Sequence, residues 1–269
     1  MQPEAVGAIL DILRHRTGVD FSRYRFATVQ RRIANRMISV GAESPDGYLA
    51  MLRSSQSEAQ QLLNRISIKV SRFYRHAPAF DALAHEVMPS LAAKGRPLRI
   101  WSAGCGQGEE AYSIAMLLEE AGVDGMVLAT DIDPLALESA RASRYPVEAA
   151  AELPAMLAER YLIRLEDTPG RMLGIRDCVR ARVRFMRHDL LFASAPEPAP
   201  FDLVACRNVL IYLQHDVQGE VFSTLLRSVR AGGFLCLGEA EWPPRHVEAM
   251  LSPLSRQSRV FQVVGECRA

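Results

Sequence analysis

The sequence predicts an α/β protein in two parts. An all-α N-terminal domain comes first, then a doubly wound, parallel-sheet domain carrying a small antiparallel β insertion. Three observations lead there. Over the first 76 residues apolar side chains recur at helical spacing without strand-like alternation. From "PLRIWSAG" onward, short β-rich runs alternate with helical stretches. The first of these runs opens into Gly104, Gly106 and Gly108, directly ahead of a helical pattern. The expected bounds are 1–76 and 77–269, with the insertion at 160–187.

"PEAVGAILDILRHRTG" places Val6, Leu10 and Leu13 at helical spacing and stops at Gly18. "RFATVQRRIANRMISVG" repeats the pattern with Phe26, Val29, Ile33 and Met37 and ends at Gly41. "SPDGYLAMLRSS" and "SEAQQLLNRISIKV" supply two more amphipathic segments. In the second part "LRIWSA", "MVLATDID", "ARVRFMRHDL", "FDLVACRNVLIY", "GGFLCLGE" and "SRVFQVVGE" read as strands, with helices at 109–121, 134–143 and 216–230. The stretch 160–187 breaks the alternation and reads as short strands around a Pro169–Gly170 turn. "ASAPEPAP" (Ala193–Pro200) reads as a surface loop.

With 269 residues, 49% of them hydrophobic and 23% charged, the chain has material for one large or two smaller cores, and wholesale disorder is excluded. The five cysteines, Cys105, Cys178, Cys206, Cys236 and Cys267, lack metal-ligand spacing, so no metal site is expected and a reducing compartment is. No signal peptide opens the chain, and its apolar runs are too short and interrupted to span a bilayer. A cytoplasmic protein without membrane insertion is expected. The net charge of +1 hides an asymmetry: residues 1–76 carry +6 and the remainder −5, which suggests two domains with different partners.

The glycine loop reads GxGxG followed by Glu109 and Glu110, not the GxGxxG of dinucleotide folds. A pyrophosphate is drawn to a helix N-terminus by its open N–H groups, and two carboxylates there repel it. A phosphate-free ligand of positive character suits the loop, and S-adenosylmethionine, with its sulfonium and amino group, fits. Asp131, at the end of "MVLATD", is placed to bind ribose hydroxyls. Stabilisation of the helix N-terminus is the plainer role for at least one of the two glutamates.

The strings "SIKVSRFYR" (67–75), "IWSAGCGQGEEAYSIAM" (100–116), "ATDID" (129–133) and "CRNVLIYL" (206–213) together resemble the CheR-type chemotaxis receptor methyltransferases, in order and spacing, over essentially the whole chain. The resemblance implies a class I methyltransferase domain of Rossmann-like fold. It implies methyl transfer from S-adenosylmethionine to glutamates of chemoreceptor cytoplasmic helices, giving γ-glutamyl methyl esters and S-adenosylhomocysteine. By the same resemblance, Ser71 takes the place of a hydroxyl-bearing threonine and Arg75 matches an arginine at the cofactor and transfer site. Glu110 and Asp131 match acids holding the methionine amino group or the ribose, beside Gly104 and Gly106. Asp189 and Leu190 fall where the family has an asparagine–leucine pair beside the adenine, and Asn208 and Val209 match residues lining the cofactor, with Tyr212 close behind.

Two departures stand out. Lys69, counted among the cofactor-binding positions, replaces an asparagine and puts a cation near a cationic cofactor unless it turns outward. Gly238-Glu239-Ala240-Glu241 replaces Gly-His-Ser-Glu. The family's β-subdomain can hold a receptor's C-terminal pentapeptide through a Gly-x-Gly loop; "RLEDTPGRM" (Arg164–Met172) has none and carries Glu166 and Asp167, so methylation independent of such a tail is expected.

A glutamate, with a reference pKa of about 4.3, is already ionised at neutral pH and needs no general base. The protein's task is alignment, for which positioning supplies ~7–11 kcal/mol. Arg75 is the candidate to hold the incoming carboxylate, with a salt bridge as its plainer role. Tyr212 either lines the methyl path or serves as a core tyrosine, and Asn208 either faces the ligand or caps a turn. Arg25, Arg31, Arg32 and Arg36 form a cationic helix face that suits rows of receptor glutamates, or is simply solvated. Nucleic acid is disfavoured because the stripe is short, few aromatics interleave and the body is acidic. The rival reading is an S-adenosylmethionine-binding regulatory or scaffold module with little transfer activity, for which Lys69 is the sequence hint.

Overall fold

The computed structural model describes residues 1–67, 71–166, 171–192 and 194–265. The chain forms two compact units, Met1–Lys69 with Tyr212–Gln218, and Val70–Ile211 with Gly219–Ala269. The division falls ahead of "SRFYRH" rather than after it, and it assigns the short segment 212–218 to the helical side.

The first unit consists of α1 (Pro3–Thr17), α2 (Phe26–Ser39), α3 (Pro45–Ser54) and α4 (Gln56–Ile66). Gly18 ends α1 in the left-handed region, φ 69°, returning its N–H to the Arg14 carbonyl. Ser44 and Ser55 cap α3 and α4, their hydroxyls accepting the N–H groups of Gly47 and Glu58. Val6, Ile9, Leu13, Val29, Ile33 and Leu62 are among the residues buried between these helices. Phe26 is 43% exposed: it opens α2, so the buried stripe begins one turn later, at Val29. Tyr24 and Leu213 form an antiparallel bridge, and the Arg25 N–H donates to the Tyr212 carbonyl.

The second unit opens with α5 (Ala77–Ala82), a π turn and α6 (Met88–Ala92). Its main sheet contains β1 (Leu98–Ala103), β2 (Gly125–Asp131), β6 (Val183–Arg187), β7 (Phe201–Cys206), β8 (Val229–Leu237), β9 (Leu251–Pro253) and β10 (Val260–Val263), in the order β6-β2-β1-β7-β8-β10-β9. The first five run parallel, and β10 and β9 close the edge antiparallel. The helices α7 (Glu109–Glu120), α8 (Pro134–Ala142) and α11 (His215–Ser228) follow β1, β2 and β7, giving the expected doubly wound α/β domain. Every residue of α7 from Glu109 to Leu118 is buried, so this helix is a core element, with Ile114 and Leu118 in one cluster with Ile100, Val127 and Leu203 of the sheet. Among the described residues, no helix is long and apolar enough to cross a membrane.

The insertion differs from the 160–187 expected. Its three antiparallel strands are β3 (Arg144–Pro146), β4 (Leu162–Leu165) and β5 (Met172–Ile175), in the order β3-β5-β4, with the short helices α9 (Ala155–Tyr161) and α10 (Asp177–Arg180) alongside in sequence. It therefore starts earlier and ends sooner, while Val183–Arg187 joins the main sheet beside β2. That strand lies at the sheet edge with Arg184, Met186 and Arg187 exposed, so it lacks the continuous apolar run of a central parallel strand. Asp167 and the Pro169–Gly170 turn lie outside the described residues.

Candidate active site

Strands β2 and β7 flank β1 on opposite sides, which makes the end of β1 a topological switch point, where ligands bind in open α/β sheets. Gly104, Gly106 and Gly108 all have positive φ, at 76°, 55° and 96°. A Cβ on Gly104 would lie 2.4 Å from Val209 Cγ2, whereas one on Gly106 would meet open space within 4 Å. Gly104 lets the chain after β7 close against the loop, and Gly106 leaves a cradle. The Gly106 N–H donates to Asp131 Oδ2 at 2.8 Å and the Asp133 N–H to Oδ1 at 2.9 Å, so Asp131 is fixed beside the glycine loop. His188 donates its N–H to the Asp131 carbonyl, bringing half-buried Asp189 and Leu190 to the end of β2. Asp189 Oδ1 accepts the Leu191 N–H at 2.9 Å.

Both glutamates of the loop are buried in the first turn of α7. Glu110 accepts the Ser102 hydroxyl at 2.7 Å and faces Arg207 Nη1 at 3.4 Å. Burial pushes its pKa up, while Arg207 and Ser102 pull it back. Glu109 is 3% exposed, its Oε2 has no hydrogen-bond partner among the described residues, and burial pushes its carboxyl up to about 7. Where a nucleotide fold receives phosphate, this chain presents acid.

The segment that precedes α5 is anchored residue by residue. The Phe73 N–H donates to the Ala149 carbonyl, the Tyr74 N–H to Ser113 Oγ at 3.0 Å and the His76 N–H to Glu152 Oε2 at 3.0 Å. The Arg75 carbonyl accepts from Arg207 Nη2 at 2.7 Å. Tyr74 and His76 both occupy the left-handed region, φ 57° and 66°, a conformation that costs a non-glycine residue roughly 1–2 kcal/mol. Phe73 packs edge-on against Tyr145 and Tyr74 stacks on Phe80, which helps to hold the turn. Arg75, within this segment, is half-buried, as is Ser71. Lys69 lies outside the described residues.

Beyond β7, Asn208 is also left-handed, φ 60°. The buried Glu241 carboxylate accepts the N–H groups of Asn208, Val209, Ile211 and Gly238 at 2.9, 2.9, 3.4 and 2.7 Å. Sequence reasoning did not give Glu241, Arg207 or Ser113 a role. A signal existed for Arg207, a charge interrupting the apolar run "LVACRNVLIY". Tyr212 belongs to the segment grouped with the helical unit.

The cationic face of α2 is not a uniform stripe. Arg36 is held by both oxygens of Glu58 at 2.9 and 2.6 Å, with the Tyr48 hydroxyl on the same carboxylate at 2.8 Å. Arg25 Nε donates to the Leu213 carbonyl, Arg32 is half-buried and Arg31 is exposed. Arg36 is thus an internal tie of the helical unit, because the buried Glu58 requires a cation.

An open cradle, acid walls and an aspartate at the end of β2 suit a cofactor bearing an ammonium, a sulfonium and a ribose, which places the second unit among class I, S-adenosylmethionine-dependent methyltransferases. Comparison with known proteins narrows this class. The family descriptions "CheR methyltransferase, all-alpha domain" and "CheR methyltransferase, SAM binding domain" match residues 4–67 and 69–259. The chemotaxis protein methyltransferase of Listeria monocytogenes is 32% identical, over 86% of this chain and 87% of its own length. The probable biofilm formation methyltransferase WspC of Pseudomonas aeruginosa is 32% identical over 86% of this chain and 55% of its own. An uncharacterized 104.1 kDa protein of Rhodobacter capsulatus is 37% identical over 97% of this chain, which spans 28% of that protein. The chain belongs to the CheR methyltransferase family, whose cofactor is S-adenosylmethionine.

Proposed function

We propose that this chain methylates glutamate side chains on the cytoplasmic helices of chemoreceptor-type proteins, forming γ-glutamyl methyl esters. The observation that supports this most strongly is the presentation of Arg75, on a turn whose neighbours are each tied down from a different element. A guanidinium fork matches two carboxylate oxygens, and a rigid backbone beneath it spares the entropy of arranging the pair.

When bound, S-adenosylmethionine would supply an electrophilic methyl on a sulfonium, its thioether being the leaving group for an in-line attack by a carboxylate oxygen. The roles of the chain's own residues follow from their chemistry. Asp131 accepts the ribose hydroxyls, Glu110 holds the amino group with Glu109 beside it, and Gly104 and Gly106 let the backbone lie close. Asp189 and Leu190 serve the adenine, Asn208 and Val209 line the cofactor, and Ser71 contributes its hydroxyl. Arg75 orients the incoming carboxylate. Arg25, Arg31 and Arg32 steer acidic receptor helices.

Lys69, which suggested a scaffold role, lies outside the described residues. The test is transfer of radiolabelled methyl from S-adenosylmethionine to receptor fragments. Alkali-labile label on glutamate is expected; no label, or alkali-stable label, would contradict the substrate.

A further inference from the structure

We propose that Arg207 is a positioning residue coupling Glu110 to the peptide that bears Arg75. The proposal rests on the roles given above to those two residues and adds the link between them.

The Arg207 side chain is 3% exposed, so its guanidinium has given up almost all its water. Desolvating a guanidinium is expensive, and an apolar side chain of similar length would fill the space more cheaply. The expense is offset by what its two ends reach. Nη1 faces Glu110 Oε2 at 3.4 Å, Nη2 donates to the Arg75 carbonyl at 2.7 Å, and the ring of Phe80 lies 5.2 Å from its central carbon. Its base is equally fixed, since Glu241 binds the backbone of the next two residues. One rigid plane therefore spans the end of β7, the start of α7 and the turn before α5.

The consequence is thermodynamic. The Glu110–Arg207 contact is long, and a second cation arriving at Glu110 shares that carboxylate with Arg207. Any change in how Arg207 sits is passed to the Arg75 carbonyl, so occupancy at Glu110 and the presentation of Arg75 are linked, and the linkage is reciprocal. Arg207 also keeps Glu110 able to accept a cation. Burial raises the Glu110 pKa and Arg207 is the cation that opposes it, while the Glu241 carboxylate acts in the opposite sense. The neighbouring thiols of Cys105, Cys206 and Cys236 are pushed up by burial and stay neutral through the physiological range. Without Arg207, the Glu110 pKa rises further and its cation affinity fails at a higher pH.

The experiment uses the full chain with Arg207→Met and Arg207→Lys, S-adenosylhomocysteine calorimetry from pH 5.5 to 8.5, and the transfer rate at saturating cofactor. Arg207→Met is expected to bind S-adenosylhomocysteine about tenfold more weakly at pH 7.5, to lose binding at a higher pH than the parent as pH falls, and to transfer at least 100-fold more slowly. Arg207→Lys is expected to restore the parental pH profile, because its charge remains, without restoring the rate, because one ammonium does not span both contacts. If Arg207→Met does not fold, the lysine variant decides alone. A parental rate in that variant, or affinity and rate reduced by one common factor at every pH, would overturn the proposal. Parental affinity in Glu110→Gln would instead remove the assignment of Glu110 while leaving that of Arg207 to the rate measurement.

Discussion

The glycine loop at 104–108 and the turn at 73–76 meet the same physical requirement by opposite means. Both hold backbone in the left-handed region. The loop does so with glycine, so its shape is local and lacks a Cβ penalty. The turn does so with Tyr74 and His76, and its strain is offset by hydrogen bonds to Ser113, Ala149, Glu152 and Arg207. A loop that only has to receive a ligand can be written into five consecutive residues. A side chain that has to be aimed needs support from distant elements, and in return its direction is specified.

Separate variants can break this comparison. The largest effect is expected from Arg75→Ala, which should lower transfer by about 10²–10³-fold at saturating cofactor, the magnitude of losing a preorganised charge contact. Asp131→Ala should weaken S-adenosylhomocysteine binding by about 10- to 100-fold in calorimetry, since hydrogen bonds to a charged group are worth about 1.5–3 kcal/mol. Gly104→Ala combines a positive φ with a 2.4 Å approach to Val209; a fall in unfolding free energy of about 1–3 kcal/mol is expected on urea titration, with weaker cofactor binding.

These predictions separate what was readable in the sequence from what was not. The glycine loop, Asp131 and the alternation of strands and helices are local patterns, and each reads directly from spacing. The support of Arg75 is long-range: Ser113, Glu152 and Arg207 lie far away in the chain, and no spacing rule connects them to residue 74, 76 or 75. The same limit explains Arg36. Its helical spacing marks it as part of a cationic face, but only the fold brings Glu58 and Tyr48 to it. The β insertion was misplaced because its first strand, Arg144–Pro146, is three residues long and pairs with Met172–Ile175 across the whole of α9.

A smaller effect concerns Glu109. Its folded pKa of about 7 lies above the reference value of 4.5, so the fold favours the neutral carboxyl. The associated stability is fully present below the unfolded value and is lost as pH rises through about 7. Thermal or urea unfolding of the cofactor-free chain should therefore show wild type losing on the order of 2 kcal/mol relative to Glu109→Gln between pH 5.5 and pH 8. Parallel pH curves would contradict a buried carboxyl whose neutral form the fold favours. The smallest effect is expected on the surface of the helical unit: Arg31→Glu with Arg32→Glu should slow receptor methylation a few-fold at low salt and flatten its salt dependence, with cofactor affinity unchanged. A wild-type rate independent of salt would argue against steering.

The central claim is that the loop retains the cofactor while the turn aims the substrate's carboxylate. Its most direct test is a cross of two variants against two readouts, Asp131→Ala and Arg75→Ala, each measured for S-adenosylhomocysteine affinity and for transfer rate at saturating cofactor. The account predicts that Asp131→Ala loses mainly affinity and Arg75→Ala mainly rate. Equal losses of both quantities in both variants would contradict it.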